Sequence, residues 1–231
     1  MKTISLHETS DEPFFLTNTD QNILVTLAKN VHACVVHQDA SGTIQFILEE
    51  DSSLLYYCVH TTQEKTAALQ QHIQLRGKHS QVKIVNLFYH AQEEQNELTT
   101  HIEHLAPSTE SLLLTRGIVK DKAKNTFKGL ITIAKQASDA KGKQESKVLT
   151  FEEAQAYSIP ELDIENNQVQ CSHGSSVGQV DQEKLFYLQS RGLSEEEAQT
   201  VFIQGFYEPL LQSIAHPIIQ DFLRKALAQR L

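Results

Sequence analysis

The chain is expected to be mainly β, a sandwich, barrel or solenoid closed by a small helical tail, and three features of the sequence predict this. Short apolar runs rich in β-branched residues recur from Asn22 onward, among them Ile23–Leu27, Ala33–Val36, Leu54–Val59, Val82–Phe88 and Leu112–Val119. Several alternate with period two, as in Thr43-Ile44-Gln45-Phe46-Ile47-Leu48 and Gly129-Leu130-Ile131-Thr132-Ile133, which puts their apolar residues on one face of a strand. After Gly178 the period changes to 3.6, the spacing of an amphipathic helix.

Taken in order, residues 1–21 read as a weakly patterned lead-in, 22–180 as the β core and 181–231 as a C-terminal helical domain. Within the core, Glu64–His72 is an exception. Its Lys65-Thr66-Ala67-Ala68-Leu69 suits a short helical turn or a loop. The polar stretch Ala137–Lys147 reads as an exposed loop, and Arg116–Lys122 as a solvated turn between strands. In the tail, Asp181 is placed to cap a first helix carrying Leu185, Phe186 and Leu188 and ending at Arg191-Gly192. Ser194 and Glu197 form a capping box for a second helix, with Ala198, Val201, Phe202, Gly205 and Phe206 as its buried stripe and Pro209 expected to kink or end it. A third helix is expected from about Pro217 to Gln229, carrying Ile218, Phe222, Leu223 and Leu227.

Composition narrows the function classes. Hydrophobic residues make up 40% of 231, enough for a sizeable core. The net charge of −9 argues against a nucleic-acid partner, because phosphate binding needs a basic surface. No apolar stretch approaches the ~20 residues that span a bilayer, and Met1–Glu12 lacks the apolar segment of a secretory signal. Three widely spaced cysteines, Cys34, Cys58 and Cys171, write neither a disulfide framework nor a CxxC metal knuckle, so a reducing cytoplasm is the expected location. Walker, GxGxxG and HExxH patterns are missing, and no enzymatic activity is expected. A β-helix carbohydrate lyase or hydrolase would need a carboxylate cluster or a calcium site, and neither is written in the sequence.

The densest chemical signal is Gln170-Cys171-Ser172-His173-Gly174-Ser175-Ser176-Val177-Gly178. If this segment is extended, Cys171 and His173 share a face about 6.6 Å apart. A thiolate and an imidazole so placed suit zinc, copper or iron; the plainer alternative is a half-buried Cys beside a hydrogen-bonded His. Two ligands are too few for a closed zinc site or a cluster, which take about four, so any metal bound here needs further ligands from elsewhere. A Cys–His nucleophile pair lacks an orienting acid nearby. His101 and His104 point to opposite faces of a strand, which favours structural roles, and Cys34 and Cys58 lie in apolar runs that suit inert buried thiols.

The run Cys171–Gly178, followed by Leu185-Phe186-Tyr187-Leu188-Gln189-Ser190-Arg191-Gly192-Leu193-Ser194-Glu195-Glu196-Glu197-Ala198, resembles the SufB/SufD family, the scaffold of the Suf iron–sulfur cluster assembly machinery. His104-Leu105-Ala106-Pro107, Arg116-Gly117-Ile118, Lys122-Ala123-Lys124, Phe127-Lys128-Gly129 and Pro160–Ile164 add to the likeness, which covers about residues 101–214. The resemblance implies a right-handed parallel β-helix with a C-terminal helical domain. It implies that the helices from Asp181 to about Ile214 dock a SufC-type ABC ATPase. It also implies a SufB-like partner, or a second copy of the chain, with a transient iron–sulfur cluster assembled at the shared interface. The Cys-Ser-His-Gly form is similar to the SufD branch, whose interface histidine and neighbouring cysteine map onto His173 and Cys171. The sulfur-accepting Cys of the SufB branch has no counterpart at Gln144-Glu145-Ser146. The chain is shorter than a usual SufD, leaving little room for an N-terminal helical domain.

Overall fold

The structure, a computed structural model, describes residues 2–10, 12–17 and 22–231. Among the described residues, fourteen strands form two seven-stranded parallel sheets. One contains β1 (Lys2–Leu6), β3 (Ile23–Leu27), β5 (Gly42–Leu48), β7 (Thr66–Leu75), β9 (Gln95–His104), β11 (Lys124–Ile133) and β13 (Gln155–Ile164), in that order. The other runs β2 (Phe14–Thr17), β4 (His32–Gln38), β6 (Ser53–His60), β8 (Gln81–His90), β10 (Glu110–Val119), β12 (Ala140–Thr150) and β14 (Val169–Gln179). Consecutive strands alternate between the sheets, so the chain winds as a β-solenoid. The parallel pairing excludes the sandwich and barrel alternatives.

Register explains why no fixed repeat is visible in the sequence. One inward column reads Ile23, Ile44, Gln71, Thr100, Gly129 and Pro160, so successive coils advance by 21, 27, 29, 29 and 31 residues. Corners absorb the differences. Asp51, His79, Ser108 and Asp139 turn one edge with positive φ, and Gln92, Asp121 and Glu152 turn the other. The lead-in over residues 1–21 is corrected for its described part: β1 pairs with β3 and β2 with β4, because Ile4, Leu6 and Leu16 pack on the interior cluster. The helical turn or loop expected within Glu64–His72 is strand β7, since pairing with β5 and β9 overrides the helix preference of two alanines. The loop expected over Ala137–Lys147 is mostly β12, whose buried positions carry the small or polar residues Ala140, Gly142, Gln144 and Ser146. Arg116 and Gly117 belong to β10, and the turn there is confined to Lys120–Ala123.

Apolar columns run through the interior, with Phe46, Tyr56, Ile73, Ile84, Ile102 and Leu113 buried. On the same strands β7, β8 and β9, a polar network is satisfied from within: Gln71 and Asn86 exchange amide hydrogen bonds at 3.0 and 3.2 Å, and Thr100 Oγ1 donates to Gln71 Oε1 at 2.7 Å.

Three helices follow, α1 (Gln182–Ser190), α2 (Glu195–Gln212) and α3 (Pro217–Ala228). Asp181 caps α1 by accepting the N–H groups of Glu183 and Lys184, Gly192 takes the positive φ that ends it, and the Ser194/Glu197 capping box opens α2. Leu185, Ala198, Ile203, Tyr207, Leu211, Ile219 and Leu223 join Val36, Tyr57, Val59, Val85, Leu87 and Ile118 on the outer face of the second sheet. Each Val, Leu or Ile side chain among them contributes about 1.5–3 kcal/mol on burial. The expected stripe on α2 is corrected in phase: Val201 is exposed, Phe202 and Phe206 flank the contact, and Ile203, Tyr207, Leu210 and Leu211 are buried. The helix also runs three residues past Pro209. On α3, Ile219 rather than Ile218 faces the core. No helix among the described residues is long and apolar enough to cross a membrane.

The end of the tail is fastened to the solenoid by charge. Arg230 Nη2 donates to Glu94 Oε1 at 2.6 Å with both side chains buried, and the guanidinium stacks over Tyr89. Replacing Arg230 with Ala strands a buried carboxylate. It is expected to cost on the order of 3 kcal/mol, read as a lower urea midpoint; an unchanged midpoint would show the pair to be neutral.

Burial pushes His37, His90 and His104 down to about 4 from the ordinary 6.5. The unfolded chain therefore takes up these protons first as the pH falls. Their stabilisation is present above about pH 6.5 and declines toward pH 4, by about 1.4 kcal/mol per histidine per pH unit. Denaturation midpoints should fall steeply between pH 7 and 5, and less steeply for His104→Gln. Equal midpoints at the two pH values would refute this.

Candidate functional site

The site lies where the winding stops. β13 pairs only with β11 and β14 only with β12, so each keeps one free edge among the described residues. The side chains that point inward from this last coil have no further coil stacked on them. Tyr157, Ile159, Ile164 and Val177 are exposed at this end, whereas the equivalent positions one coil below, Phe127-neighbour Lys128 apart, are largely covered.

Cys171 and His173 are both on β14, two residues apart, so the shared face expected from the sequence is present. Cys171 aligns with Gly142 on β12 and His173 with Gln144. Cys171 is half-buried and packs on the interior cluster beside Leu162 and Val169. Burial raises its thiol, and backbone hydrogen bonds from Ser172 and Gly142 act the other way. Its sulfur lies over Gly142: a Cβ there would stand 2.9 Å from Sγ. His173 is exposed and has no hydrogen-bond partner among the described residues, unlike the hydrogen-bonded His of the plainer alternative.

The floor below this pair is polar. Gln144 Nε2 donates to the Glu161 carbonyl at 3.0 Å, while its buried Oε1 lacks a partner. Next along the strand, Ser158 Oγ donates to Ser146 Oγ and Ser175 Oγ to Ser158 Oγ, both at 2.9 Å. On the outside, an open groove of about 770 Å³ runs from Leu55 past Lys83, Leu112 and Lys143 to Ser172. Among the described residues no three His, Cys, Asp or Glu side chains converge in a metal-binding group. Cys171 and His173 thus form at most part of a coordination shell.

The other sequence candidates separate from this end. His104 is fully buried, bonded at 2.8 Å through Nδ1 to Thr109 and through Nε2 to Ser111. His101 faces outward, stacked on His72 and bonded to Thr132. Burial lifts the thiols of Cys34 and Cys58 to about 11 and about 12, which suits inert packing residues. Leu185 and Phe186 part company on α1: Leu185 is in the core, whereas Phe186 is 71% exposed beside exposed Tyr187. Sequence reasoning missed Gly142, Gln144 and the serine chain. Their signal is the 29-residue offset to β14, which cannot be read before the register is known.

Comparison with known proteins agrees with this architecture. The family model described as SUF system FeS cluster assembly, SufBD core domain, matches residues 16–206. The chain is 32% identical over 159 residues to iron-sulfur cluster assembly protein SufD of Escherichia coli, covering 68% of this chain and 38% of that protein. It is 38% identical over 123 residues to SufD of Bacillus subtilis, covering 53% and 28%. Against SufB of Bacillus subtilis it is 29% identical over 141 residues, covering 61% and 30%. The matched region therefore spans less than half the length of each of these relatives. With a parallel β-solenoid, a C-terminal helical tail and a family match over most of its length, the chain belongs to the SufBD core family.

Proposed function

We propose that the chain is a non-catalytic scaffold subunit of Suf iron–sulfur cluster assembly. The observation that carries this reading is the position of Cys171 and His173 on the inner side of an uncovered terminal strand, where a second protomer can complete their coordination. The partner is a SufB-like subunit or a second copy, seated on the free edges of β13 and β14 and the exposed Tyr157, Ile159 and Val177. The cluster is cargo: thiolate and imidazole hold iron while it is built, then release it. Names of the relatives, SufD and SufB, support the pathway.

Anaerobic reconstitution of the chain with its partner, iron and sulfide tests the ligand assignment. A charge-transfer band that disappears in Cys171→Ser and weakens in His173→Ala is expected. A band indifferent to both substitutions would remove these residues from the site, and no band at all would leave a structural subunit that holds no metal.

The tail is proposed to dock a SufC-type ABC ATPase through Phe186, Tyr187 and Val201, which are exposed on helices otherwise anchored to the core. Replacing Phe186 and Tyr187 with Glu should abolish ATPase co-purification while leaving the thermal midpoint nearly unchanged, since neither side chain is buried. Leu185→Glu instead lowers the midpoint. Retained co-purification by the double variant would rule out this surface.

A further inference from the structure

The position of the Cys171 sulfur has its own cause one coil away. Gly142 is the register partner of Cys171, and the space above its Cα is filled by Sγ on one side and Ile131 on the other. A Cβ at position 142 would lie 2.9 Å from Sγ and 3.2 and 3.5 Å from Cγ2 and Cδ1 of Ile131. Only glycine leaves room for sulfur and isoleucine together. β12 lies on the body side of β14, so a sulfur resting over Gly142 leans away from the open end, while His173 on the same face stays exposed.

We infer that Gly142 is a positioning residue for Cys171: with Ile131 it forms a seat that holds the thiol back against the solenoid in the unpartnered chain. Engagement of the thiol with anything beyond the last coil then requires rotation about χ1, out of the seat. The functional meaning rests on the reading of Cys171 as a site ligand, but the geometry does not. In the free subunit the seat keeps a nucleophilic sulfur half-covered. At an interface it makes ligation conditional on a partner that draws the sulfur out. The same seat offers no room for a larger group on sulfur, so any adduct also forces the side chain outward.

The test is the alkylation rate of Cys171 by iodoacetamide in the full reduced chain, located by peptide mass spectrometry, with Cys34 and Cys58 as internal references. Gly142→Ala should expel the sulfur and raise the Cys171 rate at least about fivefold, equivalent to about 1 kcal/mol, leaving the other two rates unchanged. An unchanged Cys171 rate in a folded Gly142→Ala variant would overturn the proposal. Should that variant fold poorly, the same steric clash is read through a second change. Cys171→Ala, which deletes the sulfur, should restore the thermal midpoint of Gly142→Ala, and failure to restore it would locate the clash elsewhere and overturn the seat. Because alkylation is measured without iron or partner, a failed reconstitution would discard the ligand assignment and leave this result standing.

Discussion

In-register stacking of one coil on the next is the constraint on which the structure depends. Each inward side chain rests on its equivalent one coil away, so the core is a set of columns rather than a set of isolated contacts. A column is satisfied only while the next coil continues it. Where hydrocarbon stacks on hydrocarbon, as at Tyr56, Ile84 and Leu113, continuation excludes water. Where polar groups stack, as at Asn86, Thr115 and Ser146, Asn86 and Ser146 find partners across the lumen in Gln71 and Ser158, while Thr115 Oγ1 is buried without one. The same rule that builds the body leaves its final coil with unpaired edges, and Cys171 and His173 lie on that coil.

The helical tail solves a different problem. The outer face of the second sheet carries Val36, Tyr57, Val85 and Leu87, too much apolar surface to leave in water. Three helices cover it, and Tyr207 adds a directional tie by donating its hydroxyl to the Phe88 carbonyl at 2.6 Å. The covering stops short of β14, whose residues from Ser172 to Gln179 are exposed. Tail and terminal coil are therefore separate surfaces, and a partner on either one need not displace the other.

Much of this was legible in the sequence. Period-two runs located most core strands, capping chemistry at Asp181, Ser194 and Glu197 located the helices, and the shared face expected of Cys171 and His173 is that of the last strand. What escaped has a common physical origin. Stacking lets a coil accept residues that local preference would send elsewhere, such as Ala67 and Ala68 in β7 or the Lys, Gly and Gln residues of β12. Neighbours in space are 21 to 31 residues apart by unequal steps, so columns such as Gly142–Cys171 are invisible until the strands are aligned. The phase error on α2 has a simpler cause: Val201 and Ile203 are equally apolar, and only the sheet beneath decides which is buried.

The corners carry a consequence for how such a molecule can change. Their left-handed residues are almost all larger than glycine, including His79, Gln92 and Glu152, and they stand outside the columns. Lengthening or shortening a bend therefore leaves the stacked interior in phase. A lineage of these proteins is free to lose or gain residues at its bends, and to acquire new surface loops there, without renegotiating the core.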